Sequence, residues 1–249
     1  MNAWANIKTI TKREISSYFT SPVAYVFIVI FLLLSGFFTF MIGGFFERGE
    51  ASLISFFPWH PWLYLFLVPA VGMRLWSEER RLGTMEFLLT LPITPWQAIL
   101  GKFLASWLFL ALTLVLSFPV VLTVSYLGNP DLGVIFCGYV GSFLLAGAYL
   151  AISCMTSAIT RNQVISFIIS VVICLFLILA GWPPVTKILT NVIPGMRGLV
   201  DLVSAFSVMT HFESFQRGVI DSRDALFFLS VIGFSLFGTG VILRSLRTN

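Results

Sequence analysis

Residues 78–102 read EERRLGTMEFLLTLPITPWQAILGK, and apolar runs long enough to cross a bilayer flank them on both sides. Of the 249 residues, 58% are hydrophobic and only 10% are charged. An ordinary soluble domain is about 25% charged, so this composition indicates a polytopic membrane protein. The mean hydropathy of +0.96 agrees. A charged stretch between two spans must therefore lie at a membrane face.

The apolar runs predict an all-α integral membrane protein with six spans, because a transmembrane helix needs about 20 apolar residues. The predicted spans are 22–46, 59–76, 97–127, 132–157, 164–182 and 223–243. Together they form one transmembrane domain that covers 1–249. Ser21 before Pro22 and the sequence 94–97 (TPWQ) are typical helix-capping sequences, so they predict where two of these helices begin.

Residues 2–20 predict a basic amphipathic helix that lies in the membrane interface. Its apolar side chains share one helical stripe, and its basic side chains lie away from that stripe. The stripe comprises Trp4, Ile7, Ile15 and Tyr18, and the basic residues are Lys8, Lys12 and Arg13. A disordered, positively charged tail is the alternative interpretation.

The lysines and arginines predict the orientation. With six spans both termini share one side, and that side would carry ten of the 15 basic residues. The ten are Lys8, Lys12, Arg13, Arg74, Arg80, Arg81, Lys102, Arg161, Arg244 and Arg247. The positive-inside rule therefore puts both termini in the cytoplasm. Orientation also explains the net charge of +4 better than nucleic-acid binding does.

Residues 183–221 form the long external connection of this topology. It begins with Pro183 and Pro184, which end a helix. The apolar patches at 185–194 and 199–209 are too short to span a bilayer. They predict broken or re-entrant half-helices at the outer face. A plain extracellular loop is the alternative.

Small residues in the fourth predicted span recur every four positions, at Gly138, Ser142 and Ala146. Small side chains let helices approach closely. The pattern predicts a packing face, either within one chain or between two chains.

The sequence also lacks several kinds of chemistry. It has no phosphate-binding loop, since Phe103 follows Gly101-Lys102, and no motif typical of a hydrolase. His60 and His211 have no partner at metal-ligand spacing. We therefore expect no catalytic residue, no metal and no cofactor in this chain. The spans show no ionisable group away from their ends, which disfavours an ion-coupled carrier.

The segment between the second and third spans has the sequence of a short amphipathic helix. Gly83 interrupts the preceding helix, Thr84 can cap a new one, and Pro92 ends it. Glu86 in its first turn is favoured by the helix dipole. From these residues alone, a docking helix and a solvated surface loop are both open.

The sequence resembles the ABC-2 type permeases, the membrane subunits of a class of ATP-driven transporters. The matching motifs are Lys12-Arg13-Glu14, the stretch Tyr18 to Pro22, Glu78-Glu79-Arg80-Arg81, Gly83-Thr84-x-Glu86-x-Leu88-Leu89-x-x-Pro92, and Gly101-Lys102. The resemblance implies a coupling helix that contacts a separate cytoplasmic ABC ATPase, which binds ATP and Mg. The implied contact residues are Glu78, Glu79, Arg80, Arg81, Thr84, Glu86 and Leu89.

A narrower resemblance, to the permease branch associated with gliding-motility transporters, rests on Phe206 and the sequence HFE…RGVID at 211–221. It suggests an external gate, or a contact with a periplasmic or membrane-anchored accessory protein. The candidate residues are His211, Glu213, Arg217 and Asp221. Alternatively, these residues are caps and ion pairs that hold the external segment against the sixth span.

The sequence thus predicts a multi-pass permease subunit of a bacterial inner-membrane ABC transporter, which couples ATP hydrolysis by its partner to export. A second permease, identical or paralogous, would complete the pathway within the lipid bilayer. The alternative is an ATP-driven mechanotransmission complex that regulates a periplasmic partner without moving cargo.

Overall fold

The computed structural model describes residues 3–48, 52–84, 93–192 and 197–248, and within these ranges every regular element is a helix. The α-helices are α1 (Ala3–Thr20), α2 (Pro22–Phe37), α3 (Phe45–Arg48), α4 (His60–Gly72), α5 (Arg74–Leu82), α6 (Pro95–Val115), α7 (Phe118–Leu127), α8 (Leu132–Ile159), α9 (Gln163–Leu179), α10 (Pro183–Val192), α11 (Arg197–Ser204), α12 (Val208–Gln216) and α13 (Ser222–Thr248). A π-helical turn, Phe38–Ile42, extends α2. The all-α fold class is therefore correct.

Four helical segments in the described ranges are long and apolar enough to cross a membrane, whereas the sequence predicts six. They are Pro22–Glu47, Pro95–Leu127, Leu132–Ile159 and Ser222–Ser245. The predicted spans 59–76 and 164–182 correspond to α4 and α9, with 13 and 17 residues. At about 1.5 Å per residue, α4 alone reaches only two thirds of the roughly 30 Å hydrocarbon core. The count of six is therefore not confirmed.

Helix α8 is the centre of the bundle and packs against α4, α5, α6, α9, α12 and α13. Its small residues make this possible. A Cβ atom added at Gly138 would lie 2.5 Å from the Phe57 ring, and one at Gly141 would lie 2.6 Å from Phe215 Cβ. Ser142 Oγ lies 3.2 Å from His60 Nδ1. The predicted small-residue face therefore packs within the subunit.

The helix starts show the predicted caps. Ser21 Oγ accepts a hydrogen bond from Val23 N at 3.3 Å. Thr94 and Gln97 form a capping box, in which each side chain accepts from the backbone N–H of the other. Asp131, which the sequence analysis did not single out, caps α8 through Gly133 N at 2.8 Å. These contacts satisfy backbone donors that have no partner within their own helix.

Helix α1 packs along the first half of α6, with both helices running in the same direction. Asn6 Nδ2 donates to Gln97 Oε1 at 3.1 Å, and Thr11 Oγ1 donates to the carbonyl of Gly101 at 3.1 Å. Farther along, the Tyr18 ring stacks on Phe109 at 5.1 Å. The packed face thus includes Tyr18 of the predicted apolar stripe together with polar Asn6 and Thr11, while the first residue of that stripe, Trp4, is 71% exposed.

The segment after α9 forms three short helices, α10, α11 and α12, in the described part of 183–221. Helix α12 packs against α8, α9 and α13. Phe212 and Phe215 bring it onto α8, since both side chains are fully buried and lie against Gly141. The segment is therefore attached to the bundle at the N-terminal half of α8.

Candidate functional site

A single residue, Met73, separates α4 from α5, and a side chain of α8 forms hydrogen bonds at this interruption of the helix. Ser157 Oγ accepts hydrogen bonds from Trp76 N and Ser77 N, both at 3.0 Å, and donates to Met73 O at 2.8 Å. The first backbone N–H groups of a helix have no intrahelical partner. Ser157 supplies that partner for two of them, which ties the start of α5 to α8.

Trp76 strengthens the same attachment. Its side chain is fully buried, and its Nε1 donates to Cys154 Sγ at 3.2 Å. One turn earlier, at the end of α4, a Cβ atom on Gly72 would lie 2.3 Å from Ser153 Cβ, so the α4 backbone lies directly against the Ser153 side chain of α8. The base of α5 is therefore closely packed against α8.

A buried lysine joins α1, α5 and α6. Lys102 Nζ lies 2.8 Å from Glu79 Oε1 and 3.6 Å from Glu14 Oε1. It also lies 5.4 Å from the centre of the Trp76 ring, within the range of a cation–π contact. Lys102 is only 5% exposed. A buried ammonium is costly unless it is paired, so the two carboxylates are needed where they are. We call Glu14, Glu79 and Lys102 the ionic junction.

The far end of α5 is exposed. Gly83 has a positive φ of 70°, and its left-handed conformation ends the helix in the common C-terminal motif. Arg81, Leu82 and Thr84 are exposed, and Leu82 shows 61% of its surface. Basic side chains in the last turn of α5 also match the negative end of the helix dipole. The helix thus has an anchored base and a free tip.

Arg80 lies between these two environments. Its Nη1 donates to the carbonyl of Ala158, near the C-terminus of α8. Burial and the nearby positive charge of Arg161 lower the pKa of the Arg80 guanidinium. Arginine is a natural cap for the free carbonyls at a helix C-terminus. Arg80 therefore adds a third link between α5 and α8.

The residues predicted to contact an ATPase thus fall into two groups, those that bind other residues of the chain and those that are exposed. Glu79 and Arg80 bind within the chain, whereas Arg81 and Thr84 are exposed and Glu78 is partly exposed. The predicted residues Glu86 and Leu89, with most of the predicted coupling helix, lie outside the described residues.

Sequence reasoning missed the roles of Glu14, Ser157 and Trp76, and it used Lys102 only for the orientation and as part of a motif. A signal was present for Lys102, because a charge in the second turn of the predicted span 97–127 needs a partner. Ser157 gives no such signal, because a serine in an apolar helix commonly bonds only to its own backbone.

The residues predicted as an external gate fall into separate contacts. His211 lies 2.6 Å from Asp224 Oδ1 through Nδ1 and 3.0 Å from Ala205 O through Nε2. Its ring stacks on Phe227 at 4.0 Å. Both nitrogens face acceptors, so the ring holds α12 against the start of α13. This contact favours the interpretation of a structural tie.

The other three predicted gate residues form their own hydrogen bonds and ion pairs, separate from those of His211. Glu213 and Arg217 form an exposed ion pair one turn apart on α12. Such pairs contribute little to stability. Asp221 Oδ1 accepts from Arg223 N at 2.9 Å and so caps α13. Within the described ranges, no group of three or more His, Cys, Asp or Glu residues could hold a metal ion.

These features define a polytopic helical membrane protein whose densest ionic contacts lie at one end of the bundle. Residues 63–224, more than half of the chain, match the family described as ABC-2 family transporter protein. The chain belongs to this family. The matched range includes Glu79 and Lys102 and begins after Glu14. No curated protein matches the chain.

Family membership identifies the chain as a membrane permease component of an ABC transporter, and components of this family lack a nucleotide-binding domain. It also implies an ABC ATPase as a partner. The narrower resemblance to the gliding-motility branch stays a prediction.

Proposed function

We propose that this permease couples ATP hydrolysis by a separate cytoplasmic ATPase to export across the bacterial inner membrane. ATP and Mg would bind to that partner. A second permease, identical or paralogous, would complete the pathway, and an accessory protein would meet the external segment. In this topology the chain crosses the membrane six times with both termini in the cytoplasm.

One observation carries the proposal: α5 is anchored at its base and exposed at its tip. Ser157 and Trp76 attach the base to α8, and Lys102 attaches it to α6 and α1. A force applied at the tip near Leu82 would therefore move three helices together. A solvated loop needs no such attachment, so this arrangement favours the docking interpretation of the segment.

The six-span topology is supported by the way α4 and α5 follow one another. Met73 alone separates them, and Ser157 bridges the break. Together the two helices are longer than α4 by itself, with an apolar first part and a charged second part. If this path crosses the membrane, the charged α5 emerges on the face that carries most basic residues, which is the cytoplasmic face by the positive-inside rule.

The test separates docking from transmission by using two classes of variant in the complex of the chain with its ATPase. Arg81→Glu with Leu82→Asp alters the exposed tip, and we expect it to abolish co-purification of the ATPase. Lys102→Met alters the ionic junction, and we expect it to retain the ATPase but to uncouple hydrolysis from transport. Arg244→Glu, an exposed charge on α13, is the matched control.

Retention of the ATPase and of coupled transport by the tip variant would show that α5 is not the docking element. Loss of the ATPase in the Lys102→Met complex would show that the ionic junction serves assembly rather than transmission. Both assays use reconstituted vesicles, and thermal unfolding of each chain identifies variants that fail to fold.

A second candidate function is mechanotransmission without cargo, and α8 favours it. The same helix contacts α5 through Ser157 and the external segment through Gly141. Movement of α5 could therefore reach a partner at the external segment directly. ATPase activity that responds to an added accessory protein, with no substrate moved in vesicles, would support this function over export.

A further inference from the structure

A cleft of 320 Å³ lies between the α1–α2 turn and the α4–α5 break. Ligand pockets in proteins commonly have volumes of roughly 300–1,000 Å³, so this cleft is large enough for a small group. One part of its wall is apolar and includes Phe27 and Phe109. The other part is charged and includes Glu14, Arg74, Glu78, Glu79 and Lys102. The lining is therefore amphipathic.

The charged wall contains groups that the chain leaves unsatisfied. Glu79 uses Oε1 for Lys102, while its Oε2 is buried and has no hydrogen-bond partner in the described part of the chain. A buried carboxylate oxygen without a partner is expensive, so its presence in a cleft wall points to a donor from a ligand. That donor must carry N–H or O–H groups.

Arg74 and Glu78 supply the second pair of groups. They lie one turn apart on α5, both line the cleft, and neither forms an ion pair with another described residue. Side chains at this spacing are neighbours, about 5–6 Å apart at Cβ. A ligand with a negative and a positive group at a comparable separation would match both at once.

We propose that this cleft binds a zwitterionic phospholipid headgroup of the ethanolamine type. The phosphate ester binds the Arg74 guanidinium, and the primary ammonium donates to Glu78 and to Glu79 Oε2. The glycerol and the first part of the acyl chains lie along Phe27, and the remaining chain extends past Val23, which is 48% exposed. The site does not depend on the coupling proposal.

The chemistry distinguishes this ligand from the other common headgroups. A quaternary choline ammonium has no N–H group and cannot satisfy Glu79 Oε2. An anionic headgroup would meet a wall with three carboxylates and two basic groups. An arginine fork suits phosphate geometry, which favours a phosphate ester over a simple amine.

The test is native mass spectrometry of the full-length chain with three phospholipids of identical acyl chains, bearing ethanolamine, choline or glycerol headgroups. We expect the ethanolamine lipid to bind about tenfold more tightly than either other lipid, since each charged hydrogen bond gained is worth about that factor. Arg74→Gln and Glu78→Gln should each lower its affinity by a similar factor. Arg244→Gln and Glu47→Gln are the matched controls, because both residues are exposed and lie outside the cleft.

Equal binding of the three lipids, or unchanged selectivity in both cleft variants, would overturn the proposal. Soluble glycerophosphoethanolamine distinguishes the source of the headgroup. Weak competition supports a membrane lipid, whereas competition as strong as that of the lipid would overturn the role of the apolar wall. Arg74 is exposed, so its variant is expected to fold and to report on binding even if Glu78→Gln does not. The lipid measurement uses the chain itself, and the coupling measurement uses its complex with the ATPase. Either proposal can therefore fail without deciding the other.

Discussion

Replacing Lys102 with methionine removes the ammonium that joins α1, α5 and α6. Methionine has a similar length and can still contact the Trp76 ring, so the volume of the site is nearly kept. The Glu79 and Glu14 side chains, which are 18% and 20% exposed, lose their buried cation. The substitution therefore tests the charge rather than the packing.

Removing one member of a buried pair commonly costs about 3–5 kcal/mol, because the remaining charge is left without compensation. Both glutamate side chains are partly exposed, although Glu79 Oε2 itself is buried, and Glu14 retains Arg13 at 2.9 Å. Loss of the cation–π contact adds about 0.5–1 kcal/mol. We therefore expect Lys102→Met to lower the free energy of unfolding by about 2–3 kcal/mol, a discounted value for partly exposed groups.

The assay is reversible unfolding of the chain in detergent, carried out as a double-mutant cycle with Glu79→Gln. The double variant leaves neither a buried lysine nor a charged Glu79. Its loss should fall short of the sum of the two single losses by at least about 1 kcal/mol, the coupling expected for residues in contact. A loss below about 1 kcal/mol for Lys102→Met, or strictly additive losses, would refute the idea that this pair holds α5 in place.

Three further substitutions test individual contacts by the same unfolding assay. Ser157→Ala should cost about 1–3 kcal/mol, because two backbone N–H groups lose their acceptor; a neutral result would contradict the bridged break. Gly141→Ala should cost about 1–3 kcal/mol through overpacking, whereas Gly36→Ala, with nothing within 4 Å of its added Cβ, should not destabilise. His211→Phe keeps the ring stacking but leaves Asp224 unpaired, and should lower the free energy of unfolding by about 2 kcal/mol. An unchanged midpoint of unfolding would show that this pair does not stabilise the packing of α12 on α13.

The parts of the fold that the sequence predicts well are those set by local chemistry. The caps at Ser21 and Thr94 depend on a few adjacent residues, and both are present. The break at Gly83 follows from its left-handed conformation. Hydropathy was less informative for 59–76, because the apolar run does not show that the helix ends at Gly72 before a second one begins. That break depends on Ser157, which is 80 residues away from Ser77 in the chain.

The candidate site was harder to predict because its contacts join distant parts of the chain. The face of α1 that packs on α6 includes Tyr18 of the apolar stripe, but it also presents polar Asn6 and Thr11, which an apolar pattern does not reveal. Glu79 and Arg80 carry the same charges as their exposed neighbours, and only the rotation of α5 distinguishes them. Their partners, Lys102 and Ala158, become neighbours only when the bundle forms.

Helix α8 connects the two ends of the molecule, and the physics of helix packing in membranes explains why. Lipid tails are as apolar as leucine side chains, so the hydrophobic effect does not drive helices together in a membrane. Helices associate there through small residues and interhelical hydrogen bonds. Helix α8 has both, with Gly141 against α12 and Ser157 at the start of α5. These contacts lie 16 residues apart, about 24 Å along the helix axis. If a displacement of α5 is transmitted as proposed above, one continuous helix connects it to α12, and weakening either contact should interrupt that transmission without altering the other contact.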